Sequence, residues 1–185
     1  CSLEFRREEL DYLRSLRYLK KDFVEILRTF RLQEDHVEIG ETDGGLDIVI
    51  RGPWLHTILF EVPVLAIVSE LHAASAAPDG ALETGTKRLD AKIVQVRSHD
   101  DLDGFRFAEF GTRRRFSRAW QRRVIERLAS DLPRQLAGTS NVLWAMEMDL
   151  APIGTMAHEF LQACQAVGPR LVDSQRYALE AWAQE

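Results

Sequence analysis

Three times after residue 104, a short apolar segment ends in polar residues and a helical pattern follows. The apolar segments are residues 105–110, 136–141 and 150–155, and the helical patterns are residues 117–130, 142–148 and 156–166. A repeated succession of strand, loop and helix favours parallel strands joined by crossover helices. The periodicity therefore predicts an α/β fold, with the candidate functional residues where the strands end.

The most distinctive strand end has three consecutive arginines, Arg113, Arg114 and Arg115, directly before a helix start. Ser117 is a suitable N-cap, and apolar residues recur behind it at helical spacing. Cations there face the positive end of the helix dipole, which is unfavourable unless guanidinium and helix N–H groups bind an anion together. The run therefore indicates an anion site, and a solvated basic turn is the alternative.

The segment EFGTRRR at residues 109–115 resembles the FGTRRR segment of the nicotinate phosphoribosyltransferase family. Six further blocks resemble family segments in the same order, namely residues 20–31, 46–54, 61–70, 138–141, 152–159 and 173–182. Ordered similarity across nearly the whole chain is far more specific than any single block. An opening segment and a long C-terminal part of the family are absent, so we expect the chain to be a fragment.

Residues 1–100 are predicted to form an N-terminal α+β domain. The first ~30 residues show two amphipathic helices. Leu10, Leu13 and Leu16 mark the apolar face of the first helix, and Phe23, Ile26, Leu27 and Phe30 mark that of the second. The alternating residues 37–42 and 46–50 predict a hairpin that turns at residues 43–45.

A long helix is predicted from Trp54 towards Ala76, and Pro63 should kink or break it. Another helix at residues 84–96 and a connector at residues 100–104 follow. The resemblance implies that residues 101–185 are the first units of a type II phosphoribosyltransferase α/β barrel, truncated at residue 185.

Composition fits a globular enzyme and argues against several other classes. A net charge of −5 at pH 7 lacks the basic footprint that nucleic-acid binding needs. The most apolar run, residues 57–68, is interrupted by Glu61 and Pro63 and is too short to span a bilayer. Cys1 and Cys164 give no disulfide framework and no metal spacing. We therefore expect a cytoplasmic protein with no protein-bound metal and no nucleic-acid or membrane partner.

The resemblance implies a reaction of nicotinate with phosphoribosyl pyrophosphate that gives nicotinate mononucleotide and pyrophosphate with coupled ATP hydrolysis, in NAD biosynthesis or salvage. ATP and phosphoribosyl pyrophosphate would be co-substrates, with Mg²⁺ bound to their phosphates. The expected partners are small molecules and a second copy of the chain in a homodimer.

A nicotinate site needs an aromatic face for the ring and a cation for the carboxylate. The resemblance assigns these roles to Phe110 and Arg113, with a core position in the strand as the alternative for Phe110. Arg114 and Arg115 are candidates for phosphate binding, and either could instead pair with a carboxylate such as Glu109 or face solvent.

Thr139, Ser140 and Asn141 offer two hydroxyls and an amide to a substrate, and helix capping is their alternative role. Relatives that use nicotinamide have an aspartate at the position of Ser140. A carboxylate there would accept a hydrogen bond from an amide and repel a substrate carboxylate. The neutral Ser140 therefore favours nicotinate.

His158 is the candidate catalytic residue. Thr155, also a candidate phosphate ligand, is suited to cap the next helix and would place His158 in its first turn. The helix dipole disfavours the imidazolium there, so we expect a neutral ring that can attack the γ-phosphoryl group of ATP. The resemblance implies a transient phosphohistidine at this position, with Glu159 as an orienting residue. A histidine with no role beyond the first helical turn is the alternative.

Three other functions stay open. Two are sibling phosphoribosyltransferases that act on nicotinamide or on quinolinate. Ser140 and the arginine run argue against nicotinamide, and a phosphorylatable His158 argues against quinolinate. The third is a non-catalytic anion-binding module with the same fold.

Overall fold

The chain begins with a pair of helices in the computed structural model, which describes residues 4–98 and 104–184. These helices are α1 (Arg7–Ser15) and α2 (Lys21–Thr29), as the sequence predicts. Leu10, Leu13, Val24 and Leu27 form their shared core. Val24 takes the place expected for Ile26, which is exposed, because Val24 lies one turn before Leu27 on the face towards α1.

The predicted hairpin is confirmed as strands β1 (Val37–Thr42) and β2 (Gly45–Ile50). The strands are antiparallel, and Thr42 pairs with Gly45 so that Asp43 and Gly44 form a two-residue turn. Gly44 has a φ of 95°, which glycine adopts without steric cost.

The predicted long helix is interrupted, as Pro63 suggested. Helix α3 (Trp54–Thr57) leads into a 3-10 turn (Ile58–Phe60), and α4 (Glu61–Ala76) then begins with Pro63 in its first turn. Proline is tolerated there because the first helical N–H groups have no acceptor within the helix. Helix α5 (Ala81–Ser98) follows.

Length and composition alone would allow the 23 residues Trp54–Ala76 to cross a membrane, at a mean hydropathy of 1.5. The uninterrupted helix within this stretch is the 16-residue α4. At about 1.5 Å per residue, α4 is shorter than the ~30 Å hydrocarbon core of a bilayer. Two glutamates of α4 also pair with arginines of the FGTRRR segment.

The second half contains a parallel strand pair, as predicted. Strand β3 (Phe107–Glu109), helix α6 (Arg118–Asp131), strand β4 (Leu136–Thr139) and helix α7 (Val142–Glu147) follow one another. β3 and β4 pair in parallel, with α6 as the crossover helix. The third predicted strand, residues 150–155, is reduced to a single parallel bridge between Thr139 and Pro152 in the described part of the chain.

Residues 1–153 and 154–185 form two compact units. The second consists of α8 (His158–Val167), a 3-10 turn (Leu171–Asp173) and α9 (Ser174–Gln184). Cys164 and Ala178 are buried, and the Phe160 ring meets that of Trp182 edge-on at 5.5 Å. Cys1 and residues 100–103 of the predicted connector lie outside the described residues. The predicted boundary between residues 100 and 101 stays a prediction.

Candidate functional site

The arginine turn (residues 110–117) and the Ser140 loop (residues 140–141) begin at the adjacent carboxyl ends of β3 and β4. Glu109 is in register with Thr139, and the Ser140 N–H donates to the Glu109 carbonyl at 2.8 Å. The two sequence motifs are 23 or more residues apart along the chain, and the parallel pairing brings them together. This is the arrangement by which parallel α/β folds place binding loops at one edge of a sheet.

Ser117 caps α6, as predicted, and accepts a hydrogen bond from the Trp120 N–H at 3.0 Å. The anion at this helix start belongs to the protein. Glu70 of α4 accepts from Arg115 Nε at 3.1 Å and from the Arg118 N–H at 3.1 Å. A carboxylate, a guanidinium and the helix N-terminus thus satisfy one another. The Glu70 carboxylate therefore offsets the unfavourable charge of Arg115 at the helix start without a ligand. Arg115 thus has a structural role.

The other two arginines are more accessible. Arg113 forms a salt bridge through Nη1 to Glu61 of α4, and its side chain is half exposed. The Arg114 side chain is exposed, and its guanidinium has no hydrogen bond or ion pair to any described residue. Neither pairs with Glu109, which accepts only from neutral donors in the described chain.

Phe110 is 51% exposed, which rules out the core position that a strand pattern allowed. Its ring lies on the surface at the start of the arginine turn and is available for stacking.

The three polar residues at the end of β4, namely Thr139, Ser140 and Asn141, differ in how accessible they are to a ligand. Thr139 is fully buried, and its hydroxyl donates to Glu109 at 2.6 Å, so a substrate would not reach it. Asn141 caps α7 by accepting from the Trp144 N–H at 3.2 Å. Ser140 is partly exposed, and its hydroxyl has no hydrogen-bond partner among the described residues. Ser140 is therefore the member of this loop best placed to contact a ligand.

A cavity of about 620 Å³ borders the Ser140 loop. Thr112, Ser140 and Asn141 line it on one side, and apolar and aromatic side chains of α1 and α2 line it on the other. Phe110 and Arg113 are not part of this wall. Ser140 therefore borders a space that is large enough for a small aromatic acid.

His158 belongs to the second unit, where it is the first residue of α8. Its side chain is 66% exposed, and Nε2 lies 3.1 Å from Oε1 of Glu159. The prediction that Thr155 caps this helix is wrong, because Ala157 occupies the N-cap and no side chain bonds the helix end. Thr155 is exposed in the preceding segment. Within residues 4–98 and 104–184, no group of three or more His, Cys, Asp or Glu side chains could hold a metal ion.

Known proteins resemble both halves of the chain. The model of the nicotinate phosphoribosyltransferase (NAPRTase) family matches residues 105–185, and the model of the NAPRTase N-terminal domain matches residues 1–69. The chain belongs to the nicotinate phosphoribosyltransferase family.

Two curated relatives are named nicotinate phosphoribosyltransferase. That of Verminephrobacter eiseniae is 51% identical over 198 residues, and that of Acidovorax sp. is 52% identical over 194 residues. Each alignment covers 100% of this chain and 48% of the relative. The chain therefore spans about half the length of the curated relatives it matches.

Solved nicotinate phosphoribosyltransferases have the same fold. The protein from Porphyromonas gingivalis matches with a TM-score of 0.87 and 29% sequence identity. The match covers 99% of this chain and 46% of the chain of that protein. The protein from Vibrio cholerae matches with a TM-score of 0.81 and 38% sequence identity. The match covers 98% of this chain and 44% of the chain of that protein. These similarities confirm the predicted α/β fold with an N-terminal domain before the first units of a type II phosphoribosyltransferase barrel.

The sequence analysis does not identify the acidic partners of Arg113 and Arg115. Glu61 and Glu70 are the only charged residues of α4, and a charge on an otherwise apolar helix usually needs a partner. That pattern indicates a pairing but does not identify the arginine. The sequence pattern also does not identify Gln121, which is nearly fully buried one turn before Ile125 on the buried face of α6.

Proposed function

We propose that the protein containing this chain is a nicotinate phosphoribosyltransferase of NAD biosynthesis or salvage. It would transfer phosphoribose from phosphoribosyl pyrophosphate to the nitrogen of nicotinate and release pyrophosphate. The main support is the juxtaposition of the arginine turn and the Ser140 loop at adjacent strand ends, in a chain about half identical to proteins of that name.

The chemistry of the accessible residues supports recognition of an aromatic carboxylate. The exposed Phe110 ring offers a stacking face. Arg113 uses Nη1 for Glu61, which leaves the other edge of its guanidinium fork available for a substrate carboxylate. Ser140 is neutral and would not repel that group. Arg114 is the accessible candidate for phosphate contact, since Arg115 is engaged by Glu70.

We also propose that ATP hydrolysis is coupled to the transfer through His158. Nε2 lies 3.1 Å from Oε1 of Glu159, so a neutral ring with its proton on Nε2 would leave the lone pair on Nδ1 available for nucleophilic attack. Nδ1 would form a bond to the γ-phosphorus of ATP while the bond to the bridging oxygen breaks and ADP leaves. Hydrolysis of the phosphohistidine would restore the ring. Mg²⁺ bound to the phosphates would neutralise part of their charge.

The experiment uses the full-length protein with nicotinate and phosphoribosyl pyrophosphate, with and without ATP. We expect nicotinate mononucleotide by mass spectrometry, a higher yield with ATP, and an acid-labile phosphate on the peptide that contains His158. His158→Ala should abolish ATP hydrolysis and leave a low ATP-independent transfer, because the ring-binding residues lie elsewhere. His72→Ala, at an exposed position of α4, is the matched control.

Parallel reactions with nicotinamide and quinolinate distinguish the sibling activities. Faster turnover of either compound than of nicotinate would refute the proposed substrate. No turnover of any of the three, with binding of anions retained, would instead indicate a non-catalytic module. Undiminished ATP hydrolysis by His158→Ala would remove this residue from the mechanism. A cytoplasmic location, a homodimer, and the absence of nucleic-acid and membrane partners stay predictions.

A further inference from the structure

A set of hydrogen bonds centred on Glu109 connects β3, β4 and α6. The Glu109 carboxylate accepts from the Gly111 N–H at 2.5 Å and from the Thr139 hydroxyl at 2.6 Å. It also accepts from the Gln121 amide at 3.3 and 3.4 Å. Three neutral donors from three parts of the chain thus meet at one carboxylate.

A second set of hydrogen bonds closes the ring. Thr112 Oγ1 accepts from Gln121 Nε2 at 2.8 Å and from Asn141 Nδ2 at 3.2 Å. The Asn141 N–H donates to Thr139 Oγ1 at 3.1 Å, and Thr139 leads back to Glu109. These residues and Gly111 are called the polar ring below. The polar ring joins the arginine turn to the Ser140 loop through side chains as well as through the strand pairing.

Two members of the polar ring are shielded from water, and the others are partly buried. Thr139 is 0% exposed and Gln121 is 3% exposed, and Glu109 is partly buried. A buried polar group costs free energy unless it is hydrogen-bonded, and buried networks that are fully satisfied are rigid. Loss of one member would leave Thr139 or Gln121 without its partner, so the ring favours one arrangement of the two loops.

Members of the polar ring lie directly beside each candidate recognition residue. Phe110 lies between Glu109 and Gly111, and Ser140 lies between Thr139 and Asn141. Arg113 follows Thr112. The polar ring therefore holds the backbone directly beside Phe110, Arg113 and Ser140, although these side chains themselves are accessible.

We propose that Glu109 and Gln121 are positioning residues that hold the two loops in the geometry that binds nicotinate. The side chains held in this way are those of Phe110, Arg113 and Ser140. This inference rests on the proposed function. A displacement of about 1 Å in a positioned binding group can cost about 100-fold in rate. Disturbing the ring should therefore weaken nicotinate recognition more than it weakens folding.

The test exchanges donor and acceptor across the ring in the full-length protein. Gln121→Glu places a second carboxylate against Glu109, and like charges at this distance repel. We expect the KM for nicotinate to rise at least about tenfold. Glu109→Gln added to Gln121→Glu restores a donor opposite an acceptor, and the KM should return to within about threefold of the unmodified protein. Glu126→Gln, on the exposed face of α6, is the control.

A purely structural role predicts a different result. It would lower the thermal midpoint and the active fraction, so kcat would fall while the KM for nicotinate stayed constant. If Gln121→Glu does not fold, Thr112→Val opens the ring with little change in volume and should still raise the KM. Failure of the exchanged pair to restore the KM in a folded protein, or a KM unchanged in Gln121→Glu and in Thr112→Val, would refute the positioning role.

The same assay separates this inference from the proposed function. If the unmodified protein makes nicotinate mononucleotide and the ring variants behave like Glu126→Gln, only the positioning role is refuted. If the unmodified protein neither binds nor converts nicotinate, the proposed function is refuted and the positioning role with it.

Discussion

Replacement of Gly138 by alanine should strongly destabilise the strand pair below the Ser140 loop. Gly138 has a φ of 153°, and an added Cβ would lie 2.1 Å from the carbonyl oxygen of Ala151 and 2.9 Å from Cδ1 of Ile153. The obstructing atom is backbone, so rotation of a side chain cannot relieve the contact. Residues 151–153 would have to move away from β4.

The structure sets the size of this effect. Moving residues 151–153 would break two hydrogen bonds, from the Thr139 N–H to Ala151 at 3.1 Å and from the Ile153 N–H to Thr139 at 2.9 Å. Each is worth about 1 kcal/mol, and a non-glycine residue at this φ costs about 1–3 kcal/mol more. We therefore expect the free energy of unfolding to fall by about 3–5 kcal/mol.

Thermal and urea unfolding of the full-length protein measure this effect. A loss of that size lowers the midpoint temperature by on the order of 10 °C in a domain of this length. Gly40→Ala is the matched control, because no described atom lies within 4 Å of the added Cβ at that exposed position in β1. A midpoint for Gly138→Ala within about 2 °C of that of Gly40→Ala would contradict the argument.

Three further predictions concern charge. Arg113→Ala should raise the KM for nicotinate or phosphoribosyl pyrophosphate about tenfold or more, since a charge-assisted contact is lost. Ser140→Asp should shift the ratio of kcat/KM values from nicotinate towards nicotinamide, because the added carboxylate repels the acid and can accept from the amide. Arg127 hydrogen-bonds Asp131 and, with Arg97, lowers the pKa of this carboxyl below its ordinary 3.8. The stabilisation is therefore present above that value and is lost as the pH falls through the lowered pKa, so Asp131→Asn should flatten the acid limb of a stability–pH curve.

Each of these predictions has an outcome that contradicts it. Kinetics of Arg113→Ala equal to those of Arg88→Ala, an exposed position on α5, would show that Arg113 is a surface charge. Unchanged nicotinate affinity in a folded Ser140→Asp protein would remove Ser140 from substrate choice. An acid limb as steep in Asp131→Asn as in Asp79→Asn, at an exposed loop position, would show that the Asp131 ion pairs do not contribute.

Several features follow from the sequence because their physical causes are local. The turn at Asp43 and Gly44 needs a positive φ that glycine supplies, and Ser117 satisfies a helix N–H three residues away. Pro63 similarly restricts where α4 can begin. Such interactions involve residues within a few positions of one another, so a sequence pattern contains both partners. The resemblance to the family then indicates which loops carry the candidate functional residues.

The roles within those loops were decided by tertiary structure. Arg115 and Glu70 are 45 residues apart, and Thr139 and Glu109 are 30 residues apart. No local pattern specifies these pairs, because α4 must first pack on the arginine turn and β3 must first pair with β4. Burial then decides which polar side chains are used inside the protein, as with Thr139, and which remain accessible, as with Ser140. The sequence by itself determined the local elements and the family, and the long-range packing determined which motif residues can meet a ligand.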